Sequence, residues 1–120
     1  MLLWCVSQSP RLPAELRRII LDANNEIFFS AASVWEIAIK SAIRRRDFDV
    51  EPMPLVEAAT RDGFLELAVS AAHAARVREL PAVHADPFDR LLVAQSIAEP
   101  MLLLTNDALL RGYGSTVKVA

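Results

Sequence analysis

Cysteine, glycine and long apolar runs are scarce in this 120-residue chain, and each scarcity excludes a class of protein. The single cysteine, Cys5, excludes an internal disulfide framework and a cysteine-only zinc cluster, and it fits a reducing cytoplasm. Three glycines argue against a fibrous or low-complexity chain. No stretch reaches 18 consecutive apolar residues, so we expect no membrane span.

An excess of positive charge is also lacking, because 13 Lys and Arg face 15 Asp and Glu for a net charge of −2. A dedicated nucleic-acid binder is more often basic overall, so this balance argues mildly against that partner unless a local basic patch supplies it. The length and the hydrophobic fraction of 53% suit one small domain with its own core. We expect a single domain over residues 1–120.

What the chain does contain is an alternation of helical and strand-like segments. The helical segments carry apolar residues at helical spacing, and the strand-like segments are short apolar runs. Such alternation predicts crossover connections, a mostly parallel central sheet and a three-layer α/β/α fold. Helices are predicted at about residues 9–25, 33–46, 54–63, 70–80, 86–99 and 107–114, and strands at about 26–31, 64–70, 101–107 and 116–120.

Carboxylates stand at the start of three predicted helices. Glu36 lies one turn into the helix after the first predicted strand, and Asp86 and Asp89 open the helix in "HADPFDRLLVAQ". Asp107 ends the strand "MLLLTND". Ligands of parallel sheets bind at the carboxyl ends of strands, so Glu36, Asp89 and Asp107 would converge if their strands are neighbours. Oxygen ligands of this kind suit Mg²⁺ or Mn²⁺ rather than zinc.

Each acid also has a purely structural explanation. Asp86, followed by a proline, is a typical helix N-cap, and this is the interpretation we prefer for it. Asp89 then occupies a first-turn position that the helix dipole favours. Glu36 has the spacing of a capping-box partner for Ser33, and Asp107 would cap the helix that follows it. For these three acids the structural and the chemical explanation both stay open.

The two histidines add no further site to this prediction. His73 and His84 have no second ligand or nucleophile at a spacing that indicates a metal site or a catalytic triad. No role in the chemistry is therefore predicted for either one.

Three segments in this order, "SAASVWEIAIK", "DPFDRLLVAQ" and "LLLTND", resemble the PIN-domain ribonuclease toxins of the VapC family, as does the opening "LLWCVSQSPRLP". The resemblance implies a PIN fold, Mg²⁺- or Mn²⁺-dependent cleavage of RNA, a VapB-type antitoxin, a homodimer and a cytoplasmic location. Matched by position, Glu36, Asp89 and Asp107 are catalytic and metal-binding acids, and Thr105 lines the pocket. Arg90 is expected either to pair with Asp89 or to contact the antitoxin.

One part of the family pattern has no counterpart here. Members of that family begin with a short apolar strand ending in an aspartate, written "LLDTH", and this chain starts after it. We therefore expect an N-terminally truncated PIN-like domain whose first strand is missing and which keeps three of four acids. The alternative function is a non-catalytic PIN-like remnant that binds an antitoxin or another PIN subunit. A nucleotide-binding α/β domain is disfavoured because the chain has no glycine-rich phosphate loop.

Overall fold

A computed structural model describes residues 14–43, 51–105 and 107–119 of the chain. The chain divides into two units, an N-terminal unit over Leu2–Ala68 and a C-terminal unit that contains Val69–Ala120. Within the described ranges, no helix has the length and apolarity needed to cross a membrane. The single domain over residues 1–120 stays a prediction.

The N-terminal unit is built around one parallel strand pair. Its strands β1 and β2 run side by side with Phe28 opposite Leu65, and Phe29, Ile37 and Leu55 form its buried core with Ala59. The elements in chain order are α1 (Ala14–Leu21), β1 (Phe28–Ser30), α2 (Ala31–Ile43), α3 (Pro52–Arg61) and β2 (Leu65–Leu67).

The end of α3 shows how a glycine directs the chain into β2. Gly63 has a φ of +91°, a conformation that side-chain-bearing residues rarely adopt. Its N–H donates to the Thr60 carbonyl at 3.0 Å, and the Phe64 N–H donates to the Ala59 carbonyl at 3.0 Å. These two bonds form a Schellman motif, and Phe64 packs on the core of the unit. The helix end predicted near Gly63 is confirmed.

The start of α2 differs from the prediction. The helix begins at Ala31, directly after β1, so Ser33 lies inside its first turn and is not the N-cap. The hydroxyl of Ser30 instead accepts the N–H of Ala32 at 3.0 Å. The predicted capping box between Ser33 and Glu36 is therefore wrong. Strand and helix adjoin without a linker, and the last strand residue supplies the capping oxygen.

The C-terminal unit repeats the parallel pairing with its own core. Strands β3 and β4 align Leu103 with Val117, and the buried side chains of Val93, Leu110 and Tyr113 form the core beside them. Its elements are α4 (Ala71–Arg76), a first 3₁₀ helix (Val77–Glu79), α5 (Pro87–Ala98), β3 (Leu103–Thr105), a second 3₁₀ helix (Ala108–Tyr113) and β4 (Val117–Val119).

These elements confirm the predicted α/β class with parallel strands. Both strand pairs are parallel, and the strands of each pair are joined through helical segments, as a parallel pair requires. The described strands form two pairs, one in each unit. The opening residues 1–13, on which the prediction of a missing first strand depends, lie outside the described part of the chain.

Candidate functional site

The first turn of α5 fixes the position of Asp89. Asp86 is the N-cap, and its Oδ1 accepts the N–H groups of Phe88 at 2.8 Å and of Asp89 at 3.3 Å. Pro87 occupies the first helical position, where its missing N–H costs nothing. The helix-cap interpretation of Asp86 is confirmed. Asp89 lies three residues after Asp86, at the positive end of the helix dipole.

The turn after β3 fixes the position of Asp107 in a similar way. Thr105, buried at the end of β3, accepts the N–H of Asp107 on its Oγ1 at 3.0 Å. Asp107 Oδ1 in turn accepts the N–H of Leu109 at 3.0 Å, so it caps the second 3₁₀ helix. Capping uses only one carboxylate oxygen. The structural explanation of Asp107 is thus correct, and it still leaves Oδ2 for another contact.

Asp89 and Asp107 meet at the ring of His84. His84 Nε2 lies 3.1 Å from Asp107 Oδ2 and 3.8 Å from Asp89 Oδ2. One ligand atom from each residue lies within 4.8 Å of the others. The three side chains are partly buried, with 17% of His84, 25% of Asp89 and 36% of Asp107 exposed. We call His84, Asp89 and Asp107 the His84 site.

The sequence indicates no site at His84, whereas the structure places two carboxylates beside its ring. These carboxylates belong to Asp89 and Asp107, five and 23 residues further along the chain. Neither separation follows from the periodicity of a helix or a strand. Only the closeness of His84 to the "DPFD" segment hinted at this contact. The folding of the C-terminal unit, which places the start of the second 3₁₀ helix beside the start of α5, creates the cluster.

The His84 site fits a divalent cation by charge and by spacing. Two carboxylates this close repel each other unless protons or a cation neutralise them. Ligand atoms on opposite sides of Mg²⁺ are about 4.2 Å apart, twice its usual ligand distance. The candidate ligand atoms lie no more than 4.8 Å apart, which is close to that spacing. Asp89 and Asp107 are therefore suitable ligands for such an ion.

Glu36 lies in the other unit, in the first half of α2. Its carboxylate is 3.5 Å from the ammonium group of Lys40, one helical turn further on, and 24% of its side chain is exposed. This i,i+4 pair replaces the capping box as the structural explanation of Glu36. The membership of Glu36 in an active site with Asp89 and Asp107 stays a prediction.

Arg90 has a structural role that the sequence did not suggest. Its guanidinium donates to the carbonyls of Val77 at 3.1 Å and Pro81 at 3.0 Å, with a longer contact to Leu80 at 3.5 Å. It also donates to the hydroxyl of Tyr113 at 3.2 Å. One side chain thus ties the segment after α4 to α5 and to the second 3₁₀ helix.

A second histidine cluster lies in the same unit, around His73, for which the sequence predicts no role either. Ser70 and His73 form a capping box at the start of α4, in which the Ser70 N–H donates to His73 Nδ1 at 3.0 Å. His73 Nε2 faces Glu99 Oε2 at 2.5 Å, and Gln95 Nε2 lies 3.4 Å from Nδ1. We call Ser70, His73, Gln95 and Glu99 the His73 site. The signal for it was a histidine at the capping-box position where Glu or Gln is usual.

Comparison with known proteins identifies one family. A family model described as PIN domain matches residues 2–114, which is nearly the whole chain. No curated protein matches the chain. The family match covers both units and includes all three residues of the His84 site.

Proposed function

This chain belongs to the PIN-domain family, and from that premise we propose that it is a metal-dependent endoribonuclease toxin of the VapBC type. Membership of the family indicates a nuclease-type function. The assignment to VapC toxins rests on the segments "SAASVWEIAIK", "DPFDRLLVAQ" and "LLLTND". The proposed catalytic and metal-binding residues are Glu36, Asp89 and Asp107, and Thr105 lines the pocket.

The observation that carries this proposal is the meeting of Asp89 and Asp107 at the His84 site. Two carboxylates that are 18 residues apart in the sequence each have an oxygen within 4.8 Å of the other, and each lies at the start of a helix. Helix caps alone would explain each acid but not their convergence. A shared site for a cation explains both.

The protein's own residues supply a preorganised site for such chemistry. Asp89 is fixed by the first turn of α5, and Asp107 is fixed through its backbone by Thr105 and through Oδ1 by Leu109. Helix N-termini stabilise the two negative charges. A divalent cation bound there would polarise a phosphoryl oxygen and activate a water molecule for hydrolysis of an RNA phosphodiester.

The remaining parts of the proposal come from the resemblance. The substrate is RNA, the partner is a VapB-type antitoxin, the toxin is a homodimer, and the compartment is the cytoplasm. The cation is Mg²⁺ or Mn²⁺, which both prefer oxygen ligands.

The test is RNA cleavage by the purified chain in the presence of Mn²⁺ or Mg²⁺. We expect cleavage that EDTA abolishes and that the Asp89→Asn variant lacks, because asparagine keeps the shape of the side chain but removes its charge. Circular dichroism of the variant must show a folded chain. Cleavage that survives both EDTA and Asp89→Asn would contradict the proposal.

Glu36 needs a separate test, because its ion pair with Lys40 is an alternative reason for its presence. Glu36→Gln and Lys40→Met both break this pair, which contributes only about 0.3–0.5 kcal/mol. If Glu36 is catalytic, Glu36→Gln abolishes cleavage and Lys40→Met does not. Equal and small effects of the two substitutions would remove Glu36 from the active site.

A second candidate function is a PIN-like remnant that binds an antitoxin or another PIN subunit without cutting RNA. The observation that favours it is the exposure of large apolar side chains on the N-terminal unit, including 58% of Trp35, 76% of Ile43 and 59% of Met53. Large exposed apolar patches are typical of protein-binding surfaces. A folded chain that binds a partner protein but never cleaves RNA with either cation would support this function over the first.

A further inference from the structure

The ring of His84 has both nitrogens engaged, and one of these contacts determines where its proton lies. Nδ1 is 3.0 Å from the backbone nitrogen of Asp86. A backbone N–H can only donate, so Nδ1 must accept and carries no proton. In the neutral ring the proton is therefore on Nε2.

The protonated nitrogen is the one that faces the acids. Nε2 lies 3.1 Å from Asp107 Oδ2, so its N–H donates to Asp107, and Asp89 Oδ2 lies beside it at 3.8 Å, beyond hydrogen-bond distance. A nitrogen that bears a proton has no lone pair in the ring plane to offer a cation. His84 is thus close enough to the two acids to be a candidate metal ligand. Its tautomer, however, makes Nε2 a hydrogen-bond donor to Asp107.

The backbone of His84 is held in place by the second 3₁₀ helix. The N–H of His84 donates to the hydroxyl of Tyr113 at 2.9 Å, and this hydroxyl lies 3.3 Å from the His84 carbonyl. Tyr113 is buried and also accepts a hydrogen bond from Arg90. Moving the proton to Nδ1 would set two donors, Nδ1–H and the Asp86 N–H, against each other at 3.0 Å. The surroundings therefore favour one tautomer.

We infer that His84 is a positioning residue, which orients the Asp107 carboxylate beside Asp89 through its Nε2–H and does not bind the metal itself. The link to metal chemistry rests on the proposed function, but the tautomer does not. The cation would then contact carboxylate oxygens alone among these three side chains. Outer partners of this kind commonly change metal affinity by about 10–100-fold when they are removed.

The direct test is ¹⁵N NMR of the histidine rings in the full chain, with the His84 signals assigned by comparison with His84→Gln. We expect His84 to show an unprotonated Nδ1 and a protonated Nε2, both before and after addition of Mg²⁺, which is diamagnetic and leaves the signals visible. His73 is an internal reference, because its Nδ1 also accepts a backbone N–H. A proton on His84 Nδ1, or loss of the Nε2 proton when Mg²⁺ is added, would overturn the inference.

A matched pair of substitutions tests the positioning role. Glutamine can place an amide N–H near the position of Nε2, whereas asparagine reaches only to the position of Nδ1. We expect His84→Asn to weaken Mn²⁺ binding by about 10–100-fold in calorimetry, and His84→Gln to retain most of the affinity. Equal affinities in both variants and the unsubstituted chain would overturn the positioning role.

These measurements also separate the inference from the proposed function. If the expected tautomer and the Mn²⁺ affinities are found but the chain never cleaves RNA, the nuclease proposal fails and the assignment of His84 stands. If the chain cleaves RNA and His84 loses its Nε2 proton on metal addition, the nuclease proposal stands and His84 is a ligand.

Discussion

The His73 site and the His84 site share one hydrogen-bonding plan within the C-terminal unit, and they differ in the number of carboxylates that face Nε2. In both, a backbone N–H donates to Nδ1 at 3.0 Å, from Ser70 in one case and from Asp86 in the other. In both, Nε2 faces carboxylate. His73 faces only Glu99 in its site, whereas His84 faces both Asp89 and Asp107.

Because of this difference we interpret the His73 site as structural and the His84 site as a candidate cation-binding site. At the His73 site one N–H serves one carboxylate, and the His73 side chain is only 6% exposed. At the His84 site two carboxylates lie near one N–H, and a cation would neutralise their combined negative charge. The ring of His84 is also more exposed than that of His73, at 17% against 6%. The same hydrogen-bonding arrangement of a histidine can therefore stabilise the fold at one site and prepare a ligand-binding site at another.

The strongest test of this contrast is an equal chemical change at each site. Asp107→Asn should lower RNA cleavage by at least about 100-fold, since even outer partners of metal sites change activity 10–100-fold. Asparagine still caps the second 3₁₀ helix, so the fold should persist. Glu99→Gln, the matched control at the His73 site, should leave cleavage close to that of the unsubstituted chain. Comparable losses in both variants would end the distinction between the sites.

Metal binding should stabilise the protein only through the His84 site. Mn²⁺ at 100 times its dissociation constant should raise the free energy of unfolding by about 2.7 kcal/mol, because only the folded state gathers the ligands. Thermal or urea unfolding with Mn²⁺ and then with EDTA measures this change. Glu99→Gln should keep the stabilisation and Asp89→Asn should lose it. Stabilisation that persists in Asp89→Asn would place the cation elsewhere.

Removal of the histidine ring should cost stability at the His73 site. His73→Ala breaks the contact with Glu99 and half of the capping box with Ser70, and we expect it to lower the free energy of unfolding by about 2 kcal/mol. Urea denaturation measures the loss, and RNA cleavage by the folded fraction should be unchanged. His84→Ala should show the reverse pattern, with the larger effect on cleavage. If His73→Ala abolishes cleavage in a folded chain, the two sites are coupled.

The helix caps provide the smallest and most local comparison. Ser70→Ala should destabilise the chain by about 1 kcal/mol, because its hydroxyl accepts the N–H of His73 at 3.1 Å. Ser33→Ala should change stability by less than about 0.5 kcal/mol, since Ser33 lies inside α2 and not at its cap. Urea midpoints of the two variants measure the difference. A larger effect at Ser33 would mean that this serine has a role beyond its helix.

The caps also show where sequence patterns succeed and where they fail. Asp86 before a proline predicted the start of α5 correctly, because the N-cap and the first helical position impose their requirements on adjacent residues. The Ser33 and Glu36 spacing gave a wrong capping box, because β1 continues into α2 and places the cap at Ser30. A capping motif marks the start of a helix only when the residues before it are not already helical, and here Ala31 and Ala32 are helical before Ser33.

The candidate site was predicted in part. Acids at the starts of helices and the family resemblance both point to Asp89 and Asp107, and the structure brings these two together. His84 was missed because no period relates it to Asp107, 23 residues away. Glu36 was selected by the same rule and by resemblance, and it lies in the other unit with Lys40 as its ion-pair partner.

The sequence by itself determined the α/β class, most helix and strand positions, the cap at Asp86 and the helix end at Gly63, because these depend on apolar periodicity and on neighbouring residues. Only the tertiary structure decided that Asp89 and Asp107 share the His84 ring and that Arg90 ties three segments together. Contacts between side chains far apart in the chain depend on how the elements pack. No local pattern encodes that packing, so the sequence could name the acids but not the histidine that holds them.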